Sequence, residues 1–129
     1  MFAWSEKYSV GNPDIDAEHQ ALFRLAAELQ AAVESGRAQE ELAGIFARLS
    51  AYTQFHFAGE EERMRRSHFA GLAAHAREHK QLTGRLSELE HAFIEGKSRV
   101  DRTTLQFLER WLSHHVVRSD RSVGEHFSG

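Results

Sequence analysis

Apolar side chains recur along this chain at alternating steps of three and four, the spacing that lines one face of a helix, in four separate runs. The first run holds Leu22, Ala26, Leu29 and Val33, with His19 ahead of them on the same stripe. Asp16, or Asp14 if the helix begins a turn earlier, is expected to cap it, and Ser35–Gly36 to end it. The second run is Leu42, Ile45, Leu49, Tyr52, His56, Glu60 and Met64. The third is the most regular: Leu72, His75, His79, Leu82, Leu86, Leu89 and Phe93, closed by Gly96. Asp101 caps the fourth, which carries Leu105, Leu108, Leu112 and His115. No strand-like alternation or internal repeat interrupts this pattern. Short loops between such stripes predict an all-α fold, an antiparallel up-down-up-down four-helix bundle with helices over about 17–35, 39–66, 70–95 and 102–120. Residues 1–15, with Trp4, Tyr8, Gly11 and Pro13, are expected to form an irregular N-terminal arm across the open end of the core, and residues 123–129 a short tail. The whole of 1–129 reads as a single domain.

The polar residues on these apolar stripes change the picture. His56 with Glu60, and His75 with His79, are i, i+4 pairs that place both side chains on one helix face. An imidazole or carboxylate facing a core is costly unless it is paired or binds a metal. Taken singly, each has a plain alternative: His19 as a solvent-facing residue near a helix start, His56 and Glu60 as a neutral hydrogen-bonded pair. His75 and His79, adjacent on a leucine stripe, have few alternatives to a metal. Asp120 lies five residues past His115, one more than a regular turn, so the helix either widens there or ends with Asp120 reaching back. Antiparallel packing brings the start of the first helix, the end of the second, the start of the third and the end of the fourth together. His19, His56, Glu60, His75, His79, His115 and Asp120 all lie at those ends. Imidazoles and carboxylates in this number exceed one tetrahedral zinc and fit two metals bridged by the carboxylates, with a vacant position left. His68, His91, His114 and His126 fall off the stripes and are assigned to the surface.

Composition removes other classes. The chain has no cysteine, which excludes disulfides, thiolate metal sites and thiol catalysis. A net charge of −3 argues against nucleic acid as a partner. Arg63, Arg65 and Arg66 sit beside Glu60, Glu61 and Glu62 and read as a solvated helix face. No apolar run is long enough to span a membrane and the N-terminus lacks signal-peptide features, so a soluble cytoplasmic monomer is expected.

The segments DIDAEHQALF around His19, HFAGEEERM around His56 and Glu60, HAREH at His75 and His79, and WLSHHVVRSD at His115 and Asp120 resemble the bacterial hemerythrins, in order and along nearly the whole chain. Trp4 and the YSVG that follows are similar to that family's N-terminal arm. The resemblance implies two non-heme iron ions bridged by an oxo or hydroxo group. One would be held by His75, His79 and His115, the other by His19 and His56, with Glu60 and Asp120 bridging. Dioxygen would be the ligand, on the His19/His56 side. The chain departs from the family at Val123, where a bulky aromatic is common, and in the doubled His114–His115.

Ligand type bears on what such a site does. Carboxylate-rich di-iron sites support higher oxidation states, whereas this set is mostly neutral imidazole, which favours reversible dioxygen binding for storage, delivery or sensing over catalysis. Leu22, Leu82, Leu108 and Leu112 are expected to keep water away. The expectation is therefore of a binding protein and not an enzyme. Its competitors are a di-iron enzyme of the same fold (peroxidase-like, ferroxidase or nitric-oxide-handling), a redox or oxygen signalling module, and a metal-free bundle.

Overall fold

The computed structural model describes residues 2–97, 99–115 and 120–128. A short 3-10 turn, Glu6–Tyr8, precedes α1 (Pro13–Glu34), α2 (Gln39–Arg66), α3 (Leu72–Ile94), α4 (Arg102–His114) and α5 (Arg121–Ser128). The long helices form an all-α four-helix bundle in which α1 packs along α2, α2 along α3, and α1 against α4. Among the described residues no helix is long and apolar enough to cross a membrane.

Local chemistry sets the helix ends. Asn12, not Asp14 or Asp16, caps α1: its side-chain oxygen accepts from the N–H groups of Asp14 at 3.0 Å and Ile15 at 3.1 Å. Pro13 occupies the first helical position, where its missing N–H costs nothing. Asp16 is used differently, accepting from the Ser9 hydroxyl at 2.6 Å and the Val10 N–H at 2.8 Å, so that it pins the arm to the helix. Gly36 and Gly96 adopt φ of 67° and 76°, the left-handed geometry that ends α1 and α3. Asp101 caps α4 by accepting from the N–H groups of Thr103 and Thr104.

The C-terminal end departs from the expected tail. Residues 121–128 are helical, so the chain continues as α5 instead of trailing off at 123. His115 and Asp120, on either side of a stretch outside the described residues, are wound in the wider π form.

The core lies in two parts. The larger cluster runs through the bundle and includes Leu22, Leu29, Leu42, Phe46, Leu49, Leu86, Leu105, Leu108 and Leu112. Phe2 is buried in it, and Trp4 and Tyr8 of the arm pack on it through Phe23. The smaller cluster, Val10, Ile15, Met64 and Val123 with Phe69 and Leu72 beside it, closes one end. Val123, small as it is, is fully buried there. Ile15 is one turn before His19, Met64 one turn after Glu60, and Leu108 and Leu112 come before His115. The polar residues therefore form a layer between the two apolar clusters.

Candidate metal centre

The layer contains all seven side chains singled out above. His19, His56, Glu60 and Asp120 are fully buried, His79 and His115 nearly so, and His75 is 6% exposed. They fall into two groups. Glu60, His75, His79, His115 and Asp120 each offer a donor atom, all within 4.8 Å of one another, and so do His19, His56, Glu60 and Asp120. The two carboxylates belong to both groups. One group thus has the imidazoles of α3 and of the α4 end, and the other those of α1 and α2.

In all five histidines Nε2 points inward. His19 Nε2 is 2.7 Å from Asp120 Oδ2 and 3.1 Å from His56 Nε2. His75 Nε2 is 2.7 Å from Glu60 Oε1 and 2.9 Å from Asp120 Oδ1. His79 Nε2 is 3.1 Å from Glu60 Oε1, and His115 Nε2 is 2.8 Å from Asp120 Oδ1. Despite this closeness, the Nε2 atoms of His79 and His115, Glu60 Oε2 and both oxygens of Asp120 make no hydrogen bond. Short distances without hydrogen-bond alignment mean that lone pairs aim at common points and not at each other. Orphaned buried polar atoms are costly, and this many in one layer fit metal ions, whose ligands converge in this way. Nitrogen and oxygen donors without sulfur suit iron among the first-row metals.

Without a metal, the buried carboxylates favour the protonated form of the imidazoles beside them. Burial pulls the His56 imidazole down, but the nearby Asp120 carboxylate, the hydrogen bond to Glu18 and the Glu60 charge outweigh it and lift it to about 9. His75 is likewise lowered by burial and raised more by Asp120 and Glu60, to about 9. His115 rises to about 10, burial being outweighed by the close Asp120 carboxylate and by the hydrogen bond to Glu78. Asp120 itself, though burial raises it, is held well below the ordinary carboxylate value by His115, His19 and His56.

The outward nitrogens reveal residues that the helical stripes did not point to. His56 Nδ1 is 2.7 Å from Glu18, His79 Nδ1 is 2.9 Å from Glu61, and His115 Nδ1 is 2.7 Å from Glu78. Each of these acids is the immediate sequence neighbour of a ligand candidate on its own helix, and that adjacency is the signal that could have found them. Arg63, read as part of a solvated face, reaches Glu18 at 2.6 Å, whereas Arg65 and Arg66 do pair with exposed Glu62. Phe57 stacks on the His79 ring at 3.8 Å and meets His115 and Trp111 edge-on, which leaves those imidazoles little room to turn. His68, His91 and His114 are exposed, and His126 lies outside the described side chains.

Comparison with known proteins agrees with this geometry. A family model described as the hemerythrin HHE cation binding domain matches residues 10–126. A myohemerythrin of Riftia pachyptila is 30% identical over 92% of this chain and 88% of its own length. A bacteriohemerythrin of Methylococcus capsulatus is 29% identical over 84% of this chain and 82% of its own. A crystal structure of wild-type hemerythrin superposes with a TM-score of 0.93 at 26% identity, covering 98% of each chain.

Proposed function

The chain belongs to the hemerythrin HHE cation-binding family, and we propose that it binds dioxygen reversibly at a non-heme di-iron centre. His75, His79 and His115 would hold one iron and His19 and His56 the other, with Glu60 and Asp120 bridging. The observation that carries this reading is the pair of buried donor groups sharing both carboxylates. The group on α1 and α2 has one imidazole fewer, and that side is where a small exogenous ligand would enter.

Held by these residues, a ferrous pair would supply the electrons for dioxygen binding. The chain's own residues do the rest. The carboxylates of Glu60 and Asp120 offset the charge of the metals, and the imidazoles bring donors without further negative charge. Leu22, Leu108 and Leu112, buried on one side, and Ile15, Met64 and Val123 on the other, restrict water and proton access. Leu82 is only partly buried and contributes less.

Iron analysis of the purified chain should give two ions per chain. The anaerobic ferrous protein should develop a visible charge-transfer band in dioxygen that fades on deoxygenation. Irreversible bleaching, or steady turnover of peroxide or nitric oxide, would move the assignment to a di-iron enzyme.

A further inference from the structure

The acids behind the imidazoles follow a rule of succession around the bundle. On α1, His19 faces inward and its neighbour Glu18 accepts from His56 of α2 at 2.7 Å. On α2, Glu60 faces inward and its neighbour Glu61 accepts from His79 of α3 at 2.9 Å. On α3, His79 faces inward and its neighbour Glu78 accepts from His115, at the end of α4, at 2.7 Å. Adjacent positions on a helix lie about 100° apart. A residue next to an inward ligand therefore points into the seam with the following helix, at the depth of that helix's own ligand. In the fourth seam, from α4 back to α1, His19 Nδ1 is buried with no hydrogen-bond partner among the described residues.

We propose that Glu18, Glu61 and Glu78 are positioning residues for the metal centre. Each fixes the tautomer and ring rotation of the next helix's histidine, so that three of the five imidazoles are presented rigidly. This rests on the di-iron reading. A carboxylate that accepts from Nδ1–H forces the proton onto that nitrogen and leaves Nε2 as the free donor. It also makes the ring a stronger ligand. Glu18 differs from the other two in being shared with Arg63 at 2.6 Å, which offsets part of its charge.

The test uses Ala and Gln variants at positions 18, 61 and 78 of the full chain, with two readouts. The first is iron affinity by competition with a chelator. Glu61→Ala and Glu78→Ala should each weaken it by about 10–100-fold. Glu61→Gln and Glu78→Gln keep an acceptor oxygen and should restore most of the loss, a rescue that a purely structural role would not require. The second readout is the nitrogen-15 spectrum of the metal-free chain. Protected Nδ1–H signals of His56, His79 and His115 should be present, and each Ala variant should lose its own. Parent-like affinity in the Ala variants, with two irons in the parent, overturns the positioning role and leaves the di-iron reading standing. A parent without iron overturns that reading and the proposal with it, even if the three Nδ1–H signals are found.

Discussion

The two ends of the bundle use the same helices for opposite purposes. Around Leu29, Leu49, Leu86 and Leu105 the interior is close-packed hydrocarbon, with Leu29 and Leu49 fully buried. These residues lie seven to ten positions from the nearest ligand candidate on each helix, about 10–15 Å along the axis. That end needs no ligand, since burial of apolar surface stabilises it directly. At the other end, five imidazoles and two carboxylates occupy positions where leucines would fit the pattern. Such a layer does not stabilise by burial. It depends on protons or metal ions to offset the cost of taking charge out of water. One bundle therefore combines a region that folds on its own chemistry with one whose stability is borrowed from what it binds.

The sharpest way to break this contrast is to remove one donor from the polar layer. His79→Ala should lower iron content and bring the melting temperature of the loaded chain down towards that of the metal-free chain. Ligand linkage sets the scale, about 4 kcal/mol at a thousandfold excess of metal over its dissociation constant. Unchanged iron content in this variant would show that the layer is not the binding site.

Acidity separates the loaded and metal-free chains next. His56 and His75 are raised to about 9 and His115 to about 10 in the metal-free fold, against an ordinary 6.5. A raised histidine stabilises fully below its unfolded value and loses that contribution as pH climbs through the folded one. The metal-free chain should therefore become less stable between about pH 7 and 10. Asp120, held low, contributes above its ordinary value of 3.8 and loses that contribution as pH falls through its folded value. Iron competes with the imidazole protons, so its affinity should rise over the same interval in which the metal-free fold weakens. Parallel pH–stability curves for the two forms would contradict this.

At the apolar end, Leu49→Ala should cost about 2–5 kcal/mol. The loss should be nearly the same with and without metal, and iron stoichiometry should be unchanged. A loss seen only in the loaded form would join the two regions into one unit.

The smallest effect concerns the cap over the polar layer. A Cβ added at Gly124 of α5 would overlap the carbonyl oxygen and Cβ of Val10 in the arm. Gly124→Ala should push α5 away and cost about 1–3 kcal/mol. Autoxidation of the loaded protein should accelerate as water gains entry beside Val123. Equal autoxidation rates would show that the cap does not govern access.

Much of this was legible along the chain because helical periodicity is local. A three-and-four stripe states which face of a helix is buried, and His75 and His79 on such a stripe between Leu72 and Leu82 already announce polar groups in a core. The cap of α4 at Asp101 was equally plain, since capping involves only a few neighbouring residues. The start of α1 was misplaced because Asn12, Asp14 and Asp16 are all competent caps. Only the arm's need for an acceptor near Ser9 and Val10 assigns Asp16 elsewhere.

What required the tertiary structure is everything that crosses a seam. Periodicity gives each helix an inside but not its rotation or depth relative to the next. It could not show that Glu18 meets His56, Glu61 meets His79 and Glu78 meets His115, or that Arg63 turns from solvent to Glu18. Nor could it show that the last residues wind into α5 and bury Val123 against Val10, Ile15 and Met64. The sequence by itself determined the four rods and the polar residues on their inner faces, because those follow from neighbours within a turn or two. The partners of those residues were decided only when the rods packed, because a hydrogen bond between helices depends on distances that no single helix contains.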